Sequence, residues 1–157
     1  MEKKSEIIEN FKIAISSTVK SLSNSENVQV SFGNQNLNSE KNSVRLPELD
    51  QIKDRINYNQ IRAMADSKSL KLRYSNNEIL RLYEPTGNIS KKLYKIAEKI
   101  RYEKLGSEEF KGVKNNIENY YQERISSLDF KSDENKIVES FENYLRAKFF
   151  NSKNNKT

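Results

Sequence analysis

Two of the side chains that most often carry chemistry are missing, because this 157-residue chain contains neither cysteine nor histidine. Their absence removes disulfides, thiolate nucleophiles, imidazole bases and the commonest zinc sites. A serine nucleophile would lack its usual histidine base. The four glycines, at 33, 87, 106 and 112, never cluster into a loop that could cradle phosphate. Oxygen ligands remain, and these suit a hard cation such as magnesium. The nearest approach to a cation motif is Asp66-Ser67-Lys68-Ser69. An Asp-x-Ser-x-Ser pattern needs serines at 68 and 70, where Lys68 and Leu70 stand, so no metal site is assigned.

Charge is the stronger signal. The net charge is +6, and residues 61–105 supply all of it, with 11 basic against 5 acidic side chains. The segments on either side balance, which directs any acidic partner to the middle of the chain. Within it, Glu98 and Arg101 are spaced i, i+3, and Lys99 and Glu103 i, i+4, so both pairs can meet on a helix surface. Such pairs contribute only a few tenths of a kcal/mol each. Lys91, Lys92, Lys95, Lys99 and Arg101 could line a phosphate-binding stripe, which makes a basic helical nucleic-acid-binding protein the alternative reading. Tyr94 and Tyr102, however, fall at spacings that suit packing, and no RRM, zinc or helix-turn-helix signature accompanies them. A third class, a carboxylate-dependent hydrolase, requires convergent Asp or Glu residues around a bound divalent ion.

The elements that must position these residues follow from periodicity. Ile8, Phe11, Ile15, Val19 and Leu22 form one apolar stripe, predicting a helix from Ser5 to Leu22 with Ser5 as its cap and Ser23-Asn24-Ser25 as its end. Val28, Val30 and Phe32 alternate with polar residues, as in a half-buried strand. An Asn-rich connector, Gly33–Asn42, predicts a hairpin that lays Val44-Arg45-Leu46 beside it, ended by Pro47. A second helix is expected over Tyr58–Tyr74, then a turn at Ser75-Asn76-Asn77 and a short segment Glu78–Tyr83. A third helix starts near Ser90 and is capped at Leu105-Gly106; a fourth carries Phe110, Val113, Ile117, Tyr121 and Ile125; a fifth spans about Asp133–Phe150 and presents Val138, Phe141, Leu145 and Phe149. The expected fold is mainly α, about five helices with one small β-hairpin, as a single domain over 1–150 with a frayed polar tail at 151–157. Hydrophobic residues make up only 34%, a modest core that a second chain could complete. Met1–Glu9 is charged and no apolar run reaches spanning length, so the expectation is a cytoplasmic protein without a signal peptide.

An ordered series of segments carries a resemblance. Phe11-Lys12-Ile13-Ala14 precedes Val28-Gln29-Val30-Ser31-Phe32-Gly33 and Val44-Arg45-Leu46-Pro47. Arg62-Ala63-Met64-Ala65-Asp66-Ser67 runs on to Leu70-Lys71-Leu72-Arg73-Tyr74. Ala97-Glu98, Arg101-Tyr102-Glu103-Lys104-Leu105-Gly106, Gly112-Val113 and Asn116 follow in order. From Phe11 to about Phe149 this resembles the amino-terminal region of the cobaltochelatase T subunit, the CobT family. The family tends to place histidines after its Leu-x-Leu-Arg-Tyr segment, whereas this chain reads Ser75-Asn76-Asn77-Glu78-Ile79-Leu80.

The resemblance implies a share in the ATP-dependent insertion of cobalt into hydrogenobyrinic acid a,c-diamide, during aerobic vitamin B12 synthesis. It implies two partners: an AAA+ S subunit that hydrolyses ATP, and a large N subunit that holds the tetrapyrrole. Self-association stays open. ATP, magnesium and cobalt are used by the complex, and no cofactor is assigned to this chain. The family's T subunit also carries an acidic linker and a carboxy-terminal von Willebrand A domain, neither found in these 157 residues. The chain then resembles part of a longer subunit, or a short version of one. Without catalytic residues of its own, its expected role is docking, with Arg62, Asp66, Arg73, Arg101 and Glu103 as partner-binding candidates. They lie in the segments that carry the resemblance, and are charged where a plain core would not be.

Overall fold

The computed structural model describes residues 2–33, 42–49, 57–125 and 133–150, with backbone only at 2–4, 125 and 133. The tail at 151–157 and most of the connector after Gly33 lie outside the described residues. Helix α1 spans Glu2–Ser23, so Ser5 lies within it rather than capping it. Its buried stripe of Ile8, Ile15, Val19 and Leu22 follows the 3.6-residue period. Asn24 ends it in the left-handed region (φ 54°), and the Ser25 amide bonds back to the Lys20 carbonyl at 3.2 Å. Asparagine tolerates that conformation better than most residues do.

Strands β1, Gln29–Phe32, and β2, Ser43–Leu46, pair as expected but run parallel, with Val30 opposite Val44 and Phe32 opposite Leu46. The expected hairpin is therefore corrected. Alternation fixes which side chains face inward but not the strand direction, and apolar meets apolar in either sense. A connector of ten residues can reach ~33 Å, against ~13 Å for a four-residue strand, so it is long enough to bring the chain back. The ladder is extended at both ends by Gln29 N–H to the Asn42 carbonyl and Gly33 N–H to the Leu46 carbonyl, each 2.9 Å.

Helix α2 spans Tyr58–Tyr74, begun by Asn57, whose side chain accepts from the Gln60 amide at 3.0 Å. Helix α3, Asn77–Leu82, is capped in the same way by Asn76 and buries no residue. Helix α4 runs Asn88–Glu109, α5 Lys111–Ile125 and α6 Asp133–Phe150. The chain is thus mainly helical, with six helices among the described residues. None of these is long and apolar enough to cross a membrane.

Helix α2 is the centre, touching α1, α4, α5 and β2. On one side, Ile61 and Ala65 join α1, both strands and Leu49 in an apolar cluster. On the other, Leu70 joins Leu22, Tyr102, Val113, Ile117 and Tyr121. Gly106 is not a cap, because α4 continues past it to Glu109. It faces Leu70 so closely that a Cβ there would stand 2.2 Å from Leu70 Cδ2 and 2.9 Å from Cγ. Glycine is needed for the approach of two helices, and Leu70, fully buried, has no room to swing aside. Gly106→Ala is expected to destabilise by about 1–3 kcal/mol in denaturant titration. Combining it with Leu70→Ala should cost less than the sum of the single changes; strict additivity would show that the contact does not set the helix spacing.

Candidate functional site

The inward faces of α2 and α4 carry polar residues where cores are usually apolar. Asp66 and Glu103 are 1% and 0% exposed. Residues 67 and 70 share one face of α2, and 103 and 106 one face of α4, so the Leu70–Gly106 approach brings Ser67 against Glu103. Ser67 Oγ donates to Glu103 Oε1 at 2.5 Å. The other carboxylate oxygen receives Arg146 Nη2 from α6 at 2.6 Å. Arg146 also reaches Glu142 through Nε at 3.3 Å, and Arg124 Nη1 donates to Glu142 Oε2 at 3.2 Å. The Arg146 guanidinium lies over the Tyr121 ring. Glu103, Arg146, Glu142 and Arg124 therefore alternate in sign along one chain of contacts through α4, α6 and α5.

The fields follow from that alternation. Burial pushes the Glu142 carboxyl up, but Lys99, Arg124 and Arg146 outweigh it and hold the group below its ordinary range. Burial and then the Glu103 carboxylate raise the phenols of Tyr102 and Tyr121 well above theirs, so both remain protonated donors. Asp66 is raised by burial, opposed by a 2.7 Å hydrogen bond from Asn116 Nδ2 and by the charge of Arg62. Its bonded partner is thus Asn116 on α5, while Arg62 is exposed at the surface. Asp66, Ser67 and Ser69 each bond elsewhere, Ser69 Oγ to the Ala65 carbonyl at 2.7 Å, and so do not converge on a cation. Among the described residues no three Asp, Glu, His or Cys side chains gather to hold a metal ion.

Arg73 and Arg101 work at the end of α2. Arg101 pairs with Glu98 at 2.7 Å, as its spacing predicts, and its Nη2 also donates to the Tyr74 carbonyl at 2.6 Å. Ser75 Oγ donates to the same Glu98 at 2.5 Å. Burial pushes Glu98 up, but Arg101 and Ser75 outweigh it and leave the carboxyl below its usual range. Arg73 donates to Glu109 at 2.9 Å and its guanidinium lies beside the Phe110 ring, while the Tyr74 hydroxyl also donates to Glu109. The Lys99–Glu103 surface pair does not form, because Glu103 points inward to Ser67 and Arg146. Lys99 instead rests its ammonium 5.3 Å from the Tyr121 ring centroid.

The five candidates therefore fall into separate places: Asp66 and Glu103 in the interior, Arg73 and Arg101 closing the end of α2 onto α4, and Arg62 on the surface. Sequence reasoning missed Arg146 and Glu142, which are buried, while Phe149, expected in the apolar stripe of α6, is largely exposed. The available signal was their i, i+4 spacing, with Glu142 falling on the stripe of Val138, Leu145 and Phe149.

Removing one member of a buried ion pair strands the other. Glu103→Ala and Arg146→Ala are each expected to cost about 3–5 kcal/mol. The double change Glu103→Leu with Arg146→Met should cost far less than the two losses together. Additive losses in urea titration would show the pair to be unimportant. At Asp66 the sign is opposite to that of a stabilising carboxylate. A raised folded pKa means that its contribution declines as pH rises from about 4, its unfolded value, through the folded value. Asp66→Asn keeps an acceptor for Asn116, so its stability relative to the parent should grow as pH rises from 4 to 7. An advantage that instead shrinks over this range would overturn the assignment.

No solved structure matches this chain. A family model, described as cobalamin biosynthesis protein CobT, matches residues 5–145, which takes in α2 to α5 and most of α6 and ends one residue before Arg146. The chain belongs to the CobT family of cobalamin biosynthesis proteins.

Proposed function

We propose that this chain is the partner-docking region of the T subunit in an ATP-dependent aerobic cobaltochelatase, without catalysis of its own. The observation that carries the reading is α3. Ile79 and Leu82 stand at i and i+3 on a helix that buries nothing, Tyr83 follows as its C-cap, and the three are 53%, 75% and 68% exposed. Ile89, at the start of α4, is exposed beside them in sequence. An apolar face of this kind gains free energy only when another surface covers it. The six-residue helix is held by the Asn76 cap and is followed closely by Gly87.

The occupant we assign is the AAA+ S subunit, with an apolar patch bordered by acidic residues. Arg62 and the basic excess of residues 61–105 support that complementarity. Arg73 and Arg101 contribute from within, by keeping the end of α2 closed on α4 immediately before α3 begins. ATP hydrolysis and tetrapyrrole binding then belong to the S and N subunits, and cobalt is the complex's substrate.

The test is a pull-down of the chain against the S subunit of the same organism, with ATP, at low and high salt. Saturable capture is expected, weakened about tenfold or more by Leu82→Glu with Tyr83→Glu, and weakened by Arg62→Glu chiefly at low salt. Capture at full strength by the α3 variant would eliminate this face. Capture by a T subunit carrying the von Willebrand A domain, but not by this chain, would move docking to that domain.

A further inference from the structure

A cleft of about 520 Å³ opens between α2, α4 and α5, near the start of β2. Three cations line it: Lys68 and Lys71 from α2, one turn apart, and Lys99 from α4. Among the described residues none of the three is in an ion pair. The one carboxylate in the cleft wall, Glu103, already has both oxygens engaged by Ser67 and Arg146. Glu98 and Glu142 feel the fields of Lys71 and Lys99 but are held by Arg101, Arg124 and Arg146. The Lys68 ammonium is held below its ordinary pKa by burial and then by Lys71, Arg45 and Lys99. Like charges gathered in a concavity repel one another, and an anion between them relieves that cost.

The remaining wall is suited to a small organic ligand. Asn42 and Asn77 present amides, Met64 and Leu72 offer apolar surface, and Tyr102 keeps its phenol protonated. The volume lies within the range of small-molecule sites. A second cavity of about 610 Å³ shares Lys71, Asn77, Lys99 and Tyr102 and adds Lys95 and Arg81 together with the carboxylates of Glu84 and Glu98, so Lys71 and Lys99 stand where two concavities meet.

We infer that this cleft binds a small organic molecule bearing two or more anionic oxyacid groups, held between Lys68, Lys71 and Lys99. The inference does not rest on the docking role, because Ile79, Leu82 and Tyr83, which carry that role, do not line the cleft. Lysines act as point charges and do not themselves select carboxylate over phosphate, so the experiment separates the two.

The amide NMR spectrum of the chain would be titrated separately with citrate and with pyrophosphate at constant ionic strength. Saturable shifts centred on Lys68, Lys71, Asn77 and Lys99 are expected with at least one probe. The tighter of the two identifies the oxyacid class. Lys71→Gln with Lys99→Gln should raise the Kd at least about tenfold, as losing hydrogen bonds to a charged group does. Its far-UV circular dichroism and melting should stay like the parent's, and Lys68→Gln alone provides the second reading if they do not. Lys114→Gln, on the surface of α5, should leave the Kd unchanged. Shifts scattered over all surface lysines, no saturation with either probe, or equal weakening by Lys114→Gln would overturn the site.

Discussion

The separation between α2 and α4 at Leu70 and Gly106 is the constraint on which the rest depends. With no side chain at 106, the leucine packs against the opposing backbone, and Ser67 and Glu103 are carried into contact one turn away. Any wider spacing would admit water beside a carboxylate that has none of its surface exposed. The interior polar chain of Glu103, Arg146, Glu142 and Arg124 is therefore a consequence of a packing decision made by one glycine. Small residues on α2, Ala63, Ala65, Ser67 and Ser69, extend the same logic and let α1, α4 and α5 all reach one central helix. That arrangement explains how a chain with a modest hydrophobic fraction still packs three helices around a fourth.

The basic middle of the chain resolves into two populations with different tasks. Arg73 and Arg101 use planar, forked groups to close backbone and side-chain acceptors at the end of α2, which a lysine would do less well. Lys68, Lys71 and Lys99 have no such acceptors among the described residues and line a cleft. Net charge counted along the sequence treats these residues alike. Only partners distant in sequence, 27 to 51 positions away, tell them apart.

Helix positions were legible in the sequence wherever the apolar period was long, as in α1 and in α5 with Val113, Ile117 and Tyr121. The family could be read from ordered short segments, and these contain residues whose packing or bonding is demanding, such as Asp66, Asn116 and Gly106. Strand direction was not legible, because a period of two is the same in both senses. The role of Gly106 was misread because a glycine near a helix end satisfies the pattern for a cap as well as that for a close contact. The buried ion pairs were hidden for another reason. A charged residue on a helix is ordinarily a surface residue, and nothing local to Arg146 announces that Glu103, 43 positions earlier, will meet it.

That distance along the chain has a consequence for synthesis. During translation α2, α4 and α5 emerge well before the last helix, so for a time Glu103 has only the Ser67 hydroxyl and no countercharge. Closing the interior around an ionised group in that condition is unfavourable, which keeps the nascent assembly loose until α6 delivers Arg146. The final helix thus supplies the countercharge that the interior needs, and a chain ended after residue 125 would have most of its helices but not that charge.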